Sequence, residues 1–385
     1  MCDTVDDCRV LRKFFAPEFV FGEGAMRLAG QYVLNFGTRN VLLVTDPGIR
    51  TMPWFEEICT GLDDAGVAWT LYSAVSPNPR SGEVMAGAGV YADAGCRGIL
   101  AVGGGSAIDC AKGIGVVSSN QDHILTFEGV DRVPLPGPPL ICVPTTAGSA
   151  ADVSQFAIIT DERARRKAAI ISKALVPDIS LLDPLPLVTL PREVTVASGM
   201  DALSHAIEAY VSNASSAMTD LHARTAIDLA VRSLPLAASR PADLDARSMT
   251  MLASLHAGLA FSNASLGAVH AMAHAVGGLH GLSHGLANAL LLEHVVTYNY
   301  PAAAERYGDI ERIMGPCGDG DTHSLPEHLH EFRCSLDIHG TLRETGAAPA
   351  EIPLLVRRAM ADPCMVTNPR RPTEDEIAEV YEAAF

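Results

Sequence analysis

The sequence predicts an α/β domain with a parallel sheet in residues 1–190 and an all-helical domain in residues 191–385. In the first half, apolar runs typical of buried parallel strands alternate with stretches that suit helices. From Pro191 onward, Ala- and Leu-rich helical patterns dominate, and Gly and Pro mark the turns. At 385 residues, the chain is long enough for two domains with separate cores.

Four apolar runs predict the strands of the sheet: NVLLVTD (40–46), VAWTLYSAV (67–75), RGILAVGGG (97–105) and PPLICVPTT (138–146). Residues 51–66 and 81–95 predict helices between them, and this alternation favours a parallel sheet covered by helices. Residues 157–172 predict a short hairpin with a charged turn. The segment 176–191 is interrupted by prolines, so it predicts a linker between the domains.

Composition and charge disfavour several classes of protein. The net charge of −17 disfavours nonspecific binding to nucleic acid or anionic membranes. The N-terminus MCDTVDDCRV has no apolar signal region, and no uninterrupted apolar run reaches membrane-spanning length. The nine cysteines are scattered and form no CxxC pair, which is typical of free thiols in a reducing compartment. We therefore expect a cytoplasmic protein with no nucleic-acid or membrane partner.

Four side chains predict a metal site, namely Asp201, His205, His270 and His284. Asp201 and His205 are four residues apart in GMDALSHAIEAYVS (199–212), so they share one helix face. His270 and His274 repeat that spacing in HAMAHAVGG (270–278). One carboxylate and three imidazoles suit Fe(II) or Zn(II) better than Mg²⁺ or Ca²⁺, which prefer oxygen ligands.

The metal interpretation competes with a simpler one. A single histidine on an Ala-rich helix is more often a buried core group or a cation at a helix end. Two pairs at i,i+4 spacing, with His284 beyond a predicted break at Gly277 and Gly278, favour the metal site. HAMAH also resembles the zinc-protease pattern, but Ala271 stands where that chemistry needs a glutamate base. A protease is therefore disfavoured.

A glycine run predicts an anion site at the end of the third strand: Gly103, Gly104, Gly105 and Ser106. A strand, a glycine turn and a helix N-terminus together expose backbone N–H groups to a phosphate. The alternative is a purely structural turn, because glycine tolerates most backbone conformations. The run matches neither GxGxxG nor a Walker A loop.

A second loop and an aspartate extend this site. Residues 144–149 (PTTAGS) also follow a strand, and two such loops in one sheet suit a dinucleotide crevice. Asp46 follows the first strong strand, where a carboxylate accepts hydrogen bonds from a ribose diol and repels a 2′-phosphate. NAD is therefore expected rather than NADP. The alternative for Asp46 is a turn residue before Pro47.

These motifs resemble those of the iron-containing (group III) alcohol dehydrogenases nearly end to end, from FVFGEGA (19–25) to TNPRRPTEDEIAEVY (367–381). The resemblance is carried by GGGSAIDCAK (103–112), PTTAGS (144–149), GMDALSHAIEAYVS (199–212), HAMAHAVGG (270–278) and HGLANALLLEHV (284–295). It implies a dehydroquinate synthase-like fold, with a Rossmann-like dinucleotide-binding domain, a helical domain and the metal in the cleft between them.

The resemblance also implies roles for individual residues. Asp201, His205, His270 and His284 would bind the metal, and His274 would relay a proton. The turn from Gly103 to Ser106 would hold the cofactor pyrophosphate. Asp109 would be a further cofactor residue, and it forms the family's D-x-x-K pattern with Lys112. The remaining cofactor residues would be Asn78, Lys167, Thr145, Thr146 and Ser149.

The chain departs from the family pattern at a few positions. Where relatives usually read PTTAGTGSE, this chain has Ala150, Ala151 and Asp152 at the last three positions. A Cβ at 150 lies where backbone would approach the cofactor, and Ala151 removes a hydroxyl. The usual Pro-Leu after the second histidine is Ala275-Val276, and the usual Leu-Pro is Leu292-Glu293.

The predicted function is a metal-dependent, NAD-linked alcohol dehydrogenase. It would reversibly oxidise a small alcohol to an aldehyde or ketone by hydride transfer from the alkoxide. The Fe(II) assignment rests on the resemblance, and Zn(II), as in a glycerol dehydrogenase type, is an alternative. A regulatory or sensor protein with weak turnover is a second alternative, and a metal-free maleylacetate reductase type is disfavoured by the intact histidines. A homodimer is expected, since it is the commonest symmetric oligomer.

Overall fold

The computed structural model describes residues 11–315 and 324–385 and divides the chain into two compact units. The α/β unit comprises residues 16–190, and the helical unit comprises residues 191–385 together with residues 11–15. Residues 11–15 attach to the helical unit through Asn263. Its Oδ1 accepts from the backbone N–H of Phe15 (2.6 Å), and its Nδ2 donates to the Phe15 carbonyl (3.0 Å).

The α/β unit is built on a six-stranded sheet in which every pairing is parallel, in the order β1-β9-β6-β4-β2-β3. The strands are β1 (Glu18–Phe21), β2 (Asn40–Val44), β3 (Ala68–Tyr72), β4 (Gly98–Gly103), β6 (Leu140–Pro144) and β9 (Ile179–Leu182). The four predicted strands are β2, β3, β4 and β6, which lie side by side. The predicted parallel sheet is therefore confirmed.

The predicted linker was wrong over part of its length. Residues 179–182 form the fully buried strand β9, which lies between β1 and β6 and pairs Ile179 with Ile141. Pro177 and Pro184 flank these four residues without interrupting them, so the backbone N–H groups remain available to the sheet. Strand β1 was not predicted either.

The predicted hairpin is confirmed. Strands β7 (Phe156–Asp161) and β8 (Arg166–Ile171) pair antiparallel, and β8 also pairs with the two-residue strand β5 (Gly129–Val130). In the charged turn, Asp161 Oδ1 accepts from the backbone N–H groups of Arg163 and Ala164, both at 3.1 Å. Such bonds from an aspartate to the backbone two and three residues on are typical of turns.

Helices cover both faces of the large sheet: α1 (Ala29–Asn35), α2 (Pro53–Asp64), α3 (Ser81–Asp93) and α4 (Gly105–Asn120). Leu42 and Val44 pack in one hydrophobic cluster, and their neighbours Val41 and Leu43 pack in the other, as alternation along a strand requires. The first cluster includes Ile114 of α4 and the second includes residues of α1 and α2. Burial on both faces explains the continuous apolar runs in the sequence.

The helical unit confirms the predicted all-helical half. Its helices are α5 (Arg192–Val211), α6 (Ala217–Ser239), α7 (Leu244–Ala264), α8 (Ala268–His280), α9 (His284–Asn299), α10 (Ala304–Met314), α11 (Leu325–Ser335), α12 (Ile352–Met360) and α13 (Glu374–Ala384). The helices α5, α6 and α7 pack on one another, and α8 packs against α9 and α12. Within the described ranges, no helix is long and apolar enough to cross a membrane.

Candidate metal centre and dinucleotide loop

Three helices of the helical unit bring the four predicted metal ligands together. Asp201 and His205 lie on α5, His270 on α8, and His284 is the first residue of α9. One ligand atom from each residue lies within 4.8 Å of the others. His270 is fully buried, Asp201 and His205 are buried, and only the His284 side chain is partly exposed.

The donor atoms fit a single divalent cation. Oδ1 of Asp201 lies 3.8 Å from Nε2 of His270 and 3.7 Å from Nε2 of His284. Ligands with bonds of about 2.1 Å at tetrahedral angles stand about 3.4 Å apart. The rings of His205 and His270 are stacked with centroids 4.4 Å apart. Three imidazoles and one carboxylate at these separations suit Zn(II) or Fe(II).

The break between helices α8 and α9, which precedes His284, lies later in the sequence than predicted. Helix α8 continues through Gly277 and Gly278 and ends at His280, and Gly281 then takes a left-handed conformation (φ 69°). Glycine is the usual residue there because a Cβ is strained at positive φ. Beyond the break, a side chain on Gly285 would collide with the carbonyl oxygen of Ala197, so α9 begins close against α5.

Glu208 supports the centre and was not singled out from the sequence. Its carboxylate accepts from the backbone N–H groups of Gly267 (3.0 Å), Val269 (2.6 Å) and His270 (3.4 Å), and lies 2.6 Å from Nδ1 of His270. It therefore caps the N-terminus of α8 and orients the His270 ring, leaving Nε2 for a metal. The signal was available, since Glu208 is seven residues after Asp201 and so lies on the same helix face.

The charges of the site favour an ionised aspartate. Burial would raise the pKa of Asp201, but His205, His284 and His270 outweigh burial and hold that pKa well below its usual range. Burial likewise opposes the positive charge of His270, but Asp201 and Glu208 raise its pKa to about 9. The metal-free centre therefore combines a carboxylate with a protonated histidine, and a metal must displace that proton.

His274 lies beside the four ligands and has a partner of its own. Its ring stacks on His284 with centroids 5.1 Å apart, and its Nδ1 lies 2.8 Å from Oδ2 of Asp362. The other carboxylate oxygen of Asp362 accepts from the backbone N–H of Cys364 (2.8 Å), so the carboxylate is fixed by its own turn. Asp362 is 88 residues beyond His274, and sequence reasoning missed it.

The two predicted loops of the α/β unit lie against each other. The backbone N–H of Thr145 donates to the Gly103 carbonyl (3.1 Å), and a Cβ on Gly105 would lie 2.6 Å from Oγ of Ser149. A Cβ on Gly104 would lie 3.3 Å from Oγ1 of Thr146. Gly104 is the N-cap of α4 and makes no side-chain cap. Its carbonyl accepts from the backbone N–H groups of Ala107 and Ile108, so the N–H groups of Gly105 and Ser106 remain at the start of the helix for an anion.

Two observations support a dinucleotide at this surface. Oγ1 of Thr145 is buried and finds no hydrogen-bond partner among the residues that the structure describes. Asp46 forms the turn that the alternative interpretation predicts, because its Oδ1 accepts from the backbone N–H groups of Gly48 (2.8 Å) and Ile49 (3.0 Å). Its Oδ2 lies 3.6 Å from where a Cβ of Gly103 would stand. The turn therefore leaves the second carboxylate oxygen, Oδ2, close to the glycine loop.

Asp109 and Lys112 tie helix α4 to the hairpin. Oδ2 of Asp109 accepts from the backbone N–H of Ile158 (3.0 Å), and burial raises its pKa to about 6 despite the nearby positive charge of Lys112. The buried ammonium of Lys112 donates to the carbonyls of Ser154 and Phe156, both at 2.7 Å. These contacts give the D-x-x-K pattern a structural role in addition to any contact with the cofactor.

Ser106, Asn78 and Lys167 are the remaining predicted cofactor residues. The hydroxyl of Ser106 donates to the Pro77 carbonyl, and Asn78 follows directly in the chain. Lys167 lies on β8 opposite Thr160 of β7, and its charge lowers the pKa of Asp109. Ala150, which stands where the family pattern has glycine, adopts a left-handed backbone (φ 47°).

The α/β unit has a parallel sheet with a glycine-rich loop before a helix, and the helical unit has an Asp/His cluster; this combination is typical of dehydrogenases that use a dinucleotide and a metal. Comparison with known sequences agrees. Profiles of the iron-containing alcohol dehydrogenases match residues 16–184 and, for the C-terminal domain of that family, residues 195–385. The chain belongs to the iron-containing alcohol dehydrogenase family.

Individual relatives cover nearly the whole chain. It is 39% identical to alcohol dehydrogenase 4 of Schizosaccharomyces pombe over 375 residues, which are 97% of this chain and 89% of that protein. It is 34% identical to the NAD-dependent methanol dehydrogenase of Bacillus methanolicus over 377 residues, 97% and 99% of the two chains. A crystal structure of a 1,3-propanediol oxidoreductase matches with a TM-score of 0.94 at 36% identity, covering 98% of this chain and all of that one. The protein is an oxidoreductase that acts on CH–OH groups.

Proposed function

We propose that this protein is an NAD-linked, metal-dependent alcohol dehydrogenase that interconverts a small alcohol and its aldehyde or ketone. The observation that carries this proposal is the convergence of Asp201, His205, His270 and His284 within 4.8 Å in a buried site. The carboxylate of Glu208 contacts Nδ1 of His270, the ring nitrogen that is not offered to the metal, and such a supporting contact is typical of metal sites.

The four ligands would hold Fe(II), with Zn(II) as the alternative. The family supports iron, whereas the donor set itself suits either ion. A bound divalent cation supplies a Lewis acid that lowers the pKa of an alcohol hydroxyl. The buried faces of His205 and His270 keep water from that position, and the partly exposed His284 marks the side open to solvent.

His274 would receive the proton that the alcohol loses. Its Nδ1–H donates to Asp362 at 2.8 Å, which leaves Nε2 as the basic nitrogen. Asp362 also stabilises the positive charge that His274 gains, because the pKa of its carboxyl is held low by His274 and two further hydrogen bonds against the effect of burial. His274 lies outside the cluster of four ligand atoms, so we assign its Nε2 to proton transfer and not to metal binding.

NAD would bind at the glycine loop of the α/β unit. The N–H groups at the start of α4 would hold the pyrophosphate, with the hydroxyls of Thr145, Thr146 and Ser149 beside it. Asp46 would accept from the ribose diol and exclude a 2′-phosphate. Asn78, Asp109 and Lys167 are proposed to line the same cofactor site. The nicotinamide supplies the hydride acceptor.

The substrate class follows from the relatives and remains a proposal. The similar proteins named above act, by their names, on methanol and on 1,3-propanediol, so a short primary alcohol or diol is the first candidate. The regulatory alternative is not favoured, because all four ligands and the carboxylates behind them are in place. The homodimer and the cytoplasmic location stay predictions from sequence, and light scattering of the purified protein tests the first.

A reconstitution assay tests the proposed function. Protein purified without oxygen and loaded with Fe(II) or Zn(II) is expected to form NADH from NAD and short alcohols, followed at 340 nm. The variant His270→Ala removes a ligand and should abolish turnover and stoichiometric metal binding. The matched control His280→Ala removes a histidine of the same helix that pairs with Glu351, and should keep both. Equal turnover in His270→Ala and wild-type protein would overturn the proposal.

A further inference from the structure

We propose that Asn288 raises the affinity of the metal centre for Fe(II) relative to Zn(II) by offering its side-chain carbonyl oxygen as an additional ligand. This inference rests on the proposed metal site and goes beyond it, because it assigns metal selectivity to one residue outside the four-ligand set.

Asn288 lies inside the ligand cluster. It is one helical turn after His284 on α9, and it is fully buried. Its Nδ2 lies 2.6 Å from Oδ1 of Asp201, 3.0 Å from Nε2 of His270 and 3.4 Å from Nε2 of His284. One amide atom therefore contacts the donor atoms of three of the four ligands.

These separations are those of neighbouring ligands around one cation. Two ligand atoms with metal bonds of about 2.1 Å at a right angle stand about 3.0 Å apart. The inner amide atom of Asn288 matches this spacing toward Nε2 of His270 (3.0 Å) and lies closer, at 2.6 Å, to Oδ1 of Asp201, whereas those two ligands are 3.8 Å from each other. The position of that atom is therefore the position of a further ligand.

The amide must turn when a cation binds. In the orientation shown, an N–H group of Asn288 donates to Oδ1 of Asp201, and the positive end of the amide points into the site toward Nε2 of His270. Oδ1 of Asn288 is buried and has no hydrogen-bond partner among the described residues. A half-turn of the amide exchanges two atoms of nearly equal size, places the oxygen toward the positive charge and gives it a partner.

An added oxygen ligand discriminates between the two metals. Zn(II) is satisfied by four ligands in tetrahedral sites, which Asp201 and the three histidines already supply. A fifth, neutral oxygen donor suits Fe(II), which accepts higher coordination numbers, and adds little for Zn(II). Loss of the amide should therefore weaken Fe(II) binding more than Zn(II) binding.

Competition titrations under argon test the inference. In Asn288→Leu, which keeps the branched shape of the side chain and removes the oxygen, the ratio of Fe(II) to Zn(II) affinity is expected to fall about tenfold or more, in the range of metal-site partner losses. Asn288→Ala should give the same shift and serves if the leucine variant does not fold. Asn288→Asp, which keeps an oxygen donor on a side chain of equal length, should retain the wild-type ratio of Fe(II) to Zn(II) affinity. Asn299→Leu is the matched control, since Asn299 is a buried asparagine of the same helix that bonds to Asn368.

The visible spectrum of the Co(II)-loaded protein gives a second readout. The d–d bands should become more intense in Asn288→Leu, as expected when a five-coordinate ion becomes tetrahedral, and stay unchanged in Asn299→Leu. Equal loss of Fe(II) and Zn(II) affinity with an unchanged Co(II) spectrum would overturn the inference and make Asn288 a structural residue. If the wild-type protein bound neither cation, the metal site itself would fail, and the inference with it.

Discussion

Replacement of Glu208 by glutamine tests how the protein positions His270. The carboxylate receives four donors, three at Oε2 and one, the Val269 N–H at 2.6 Å, at Oε1. In its best orientation, glutamine keeps the oxygen that receives three donors and turns its NH₂ group toward the Val269 N–H. At least one charge-assisted bond is lost and two donors then face each other.

The expected cost follows from this count. Loss of one buried hydrogen bond to a charged group costs about 1.5–3 kcal/mol, so Glu208→Gln should lower the free energy of unfolding by about 2 kcal/mol. A freer His270 ring should weaken metal binding about 10- to 100-fold. Glu208 also raises the pKa of His270, so its removal reduces competition from protons. The deficit in metal affinity should therefore be larger at pH 9 than at pH 7.

Urea denaturation and competition with a chelator for Zn(II) measure both effects. The matched control is Glu193→Gln, an exposed glutamate in the first turn of the same helix, which should behave as wild type. If Glu208→Gln bound Zn(II) within a factor of about two of wild type at pH 9, the positioning of His270 by Glu208 would be refuted.

Three further predictions concern the proton, the loop and the glycine contact. Because the pKa of His270 is raised to about 9, metal binding releases a proton from this residue at neutral pH. The apparent Zn(II) affinity, measured by competition with a chelator, should therefore fall about tenfold for each pH unit between 8.5 and 6.5. An affinity that does not change with pH would argue against this coupling. Ala150→Gly should raise stability by up to about 1 kcal/mol, because the relief of left-handed strain exceeds the entropy cost of glycine; a lower urea midpoint would show that Ala150 is unstrained. Gly105→Ala places a Cβ 2.6 Å from Oγ of Ser149 and so disturbs the contact between the two loops. The affinity for NADH, measured by fluorescence titration, should fall about tenfold, while the metal content stays at one equivalent. An unchanged affinity for NADH would place the cofactor elsewhere.

Sequence patterns predicted the sheet where burial alone decides the structure. Strands such as β2 and β4 are buried on both faces, so their apolar runs are continuous and easily read. Strand β9 has only four residues and lies between prolines. Its place in the sheet comes from pairing with β6, where Ile179 lies opposite Ile141, a residue 38 positions earlier in the sequence. That pairing is non-local, so no local pattern reports it.

The same distinction applies to the metal centre. The i,i+4 spacing of Asp201 and His205 places both side chains on one helix face, and the sequence predicts this directly. Three supporting residues contact partners that are distant in the sequence. Glu208 contacts His270, 62 residues away, Asp362 contacts His274, 88 residues away, and Asn288 contacts Asp201, 87 residues away. Their roles depend on how helices pack, which spacing along the chain does not determine.

The transfer of deuterium tests the central claim most directly. Metal-loaded protein is incubated with NAD and a short primary alcohol deuterated at the carbinol carbon, and the reduced cofactor is analysed by mass spectrometry and NMR. Direct hydride transfer predicts one deuterium at C4 of the reduced nicotinamide, with no such product from His270→Ala. Reduced nicotinamide without deuterium, or no reduction by the loaded protein, would contradict the account.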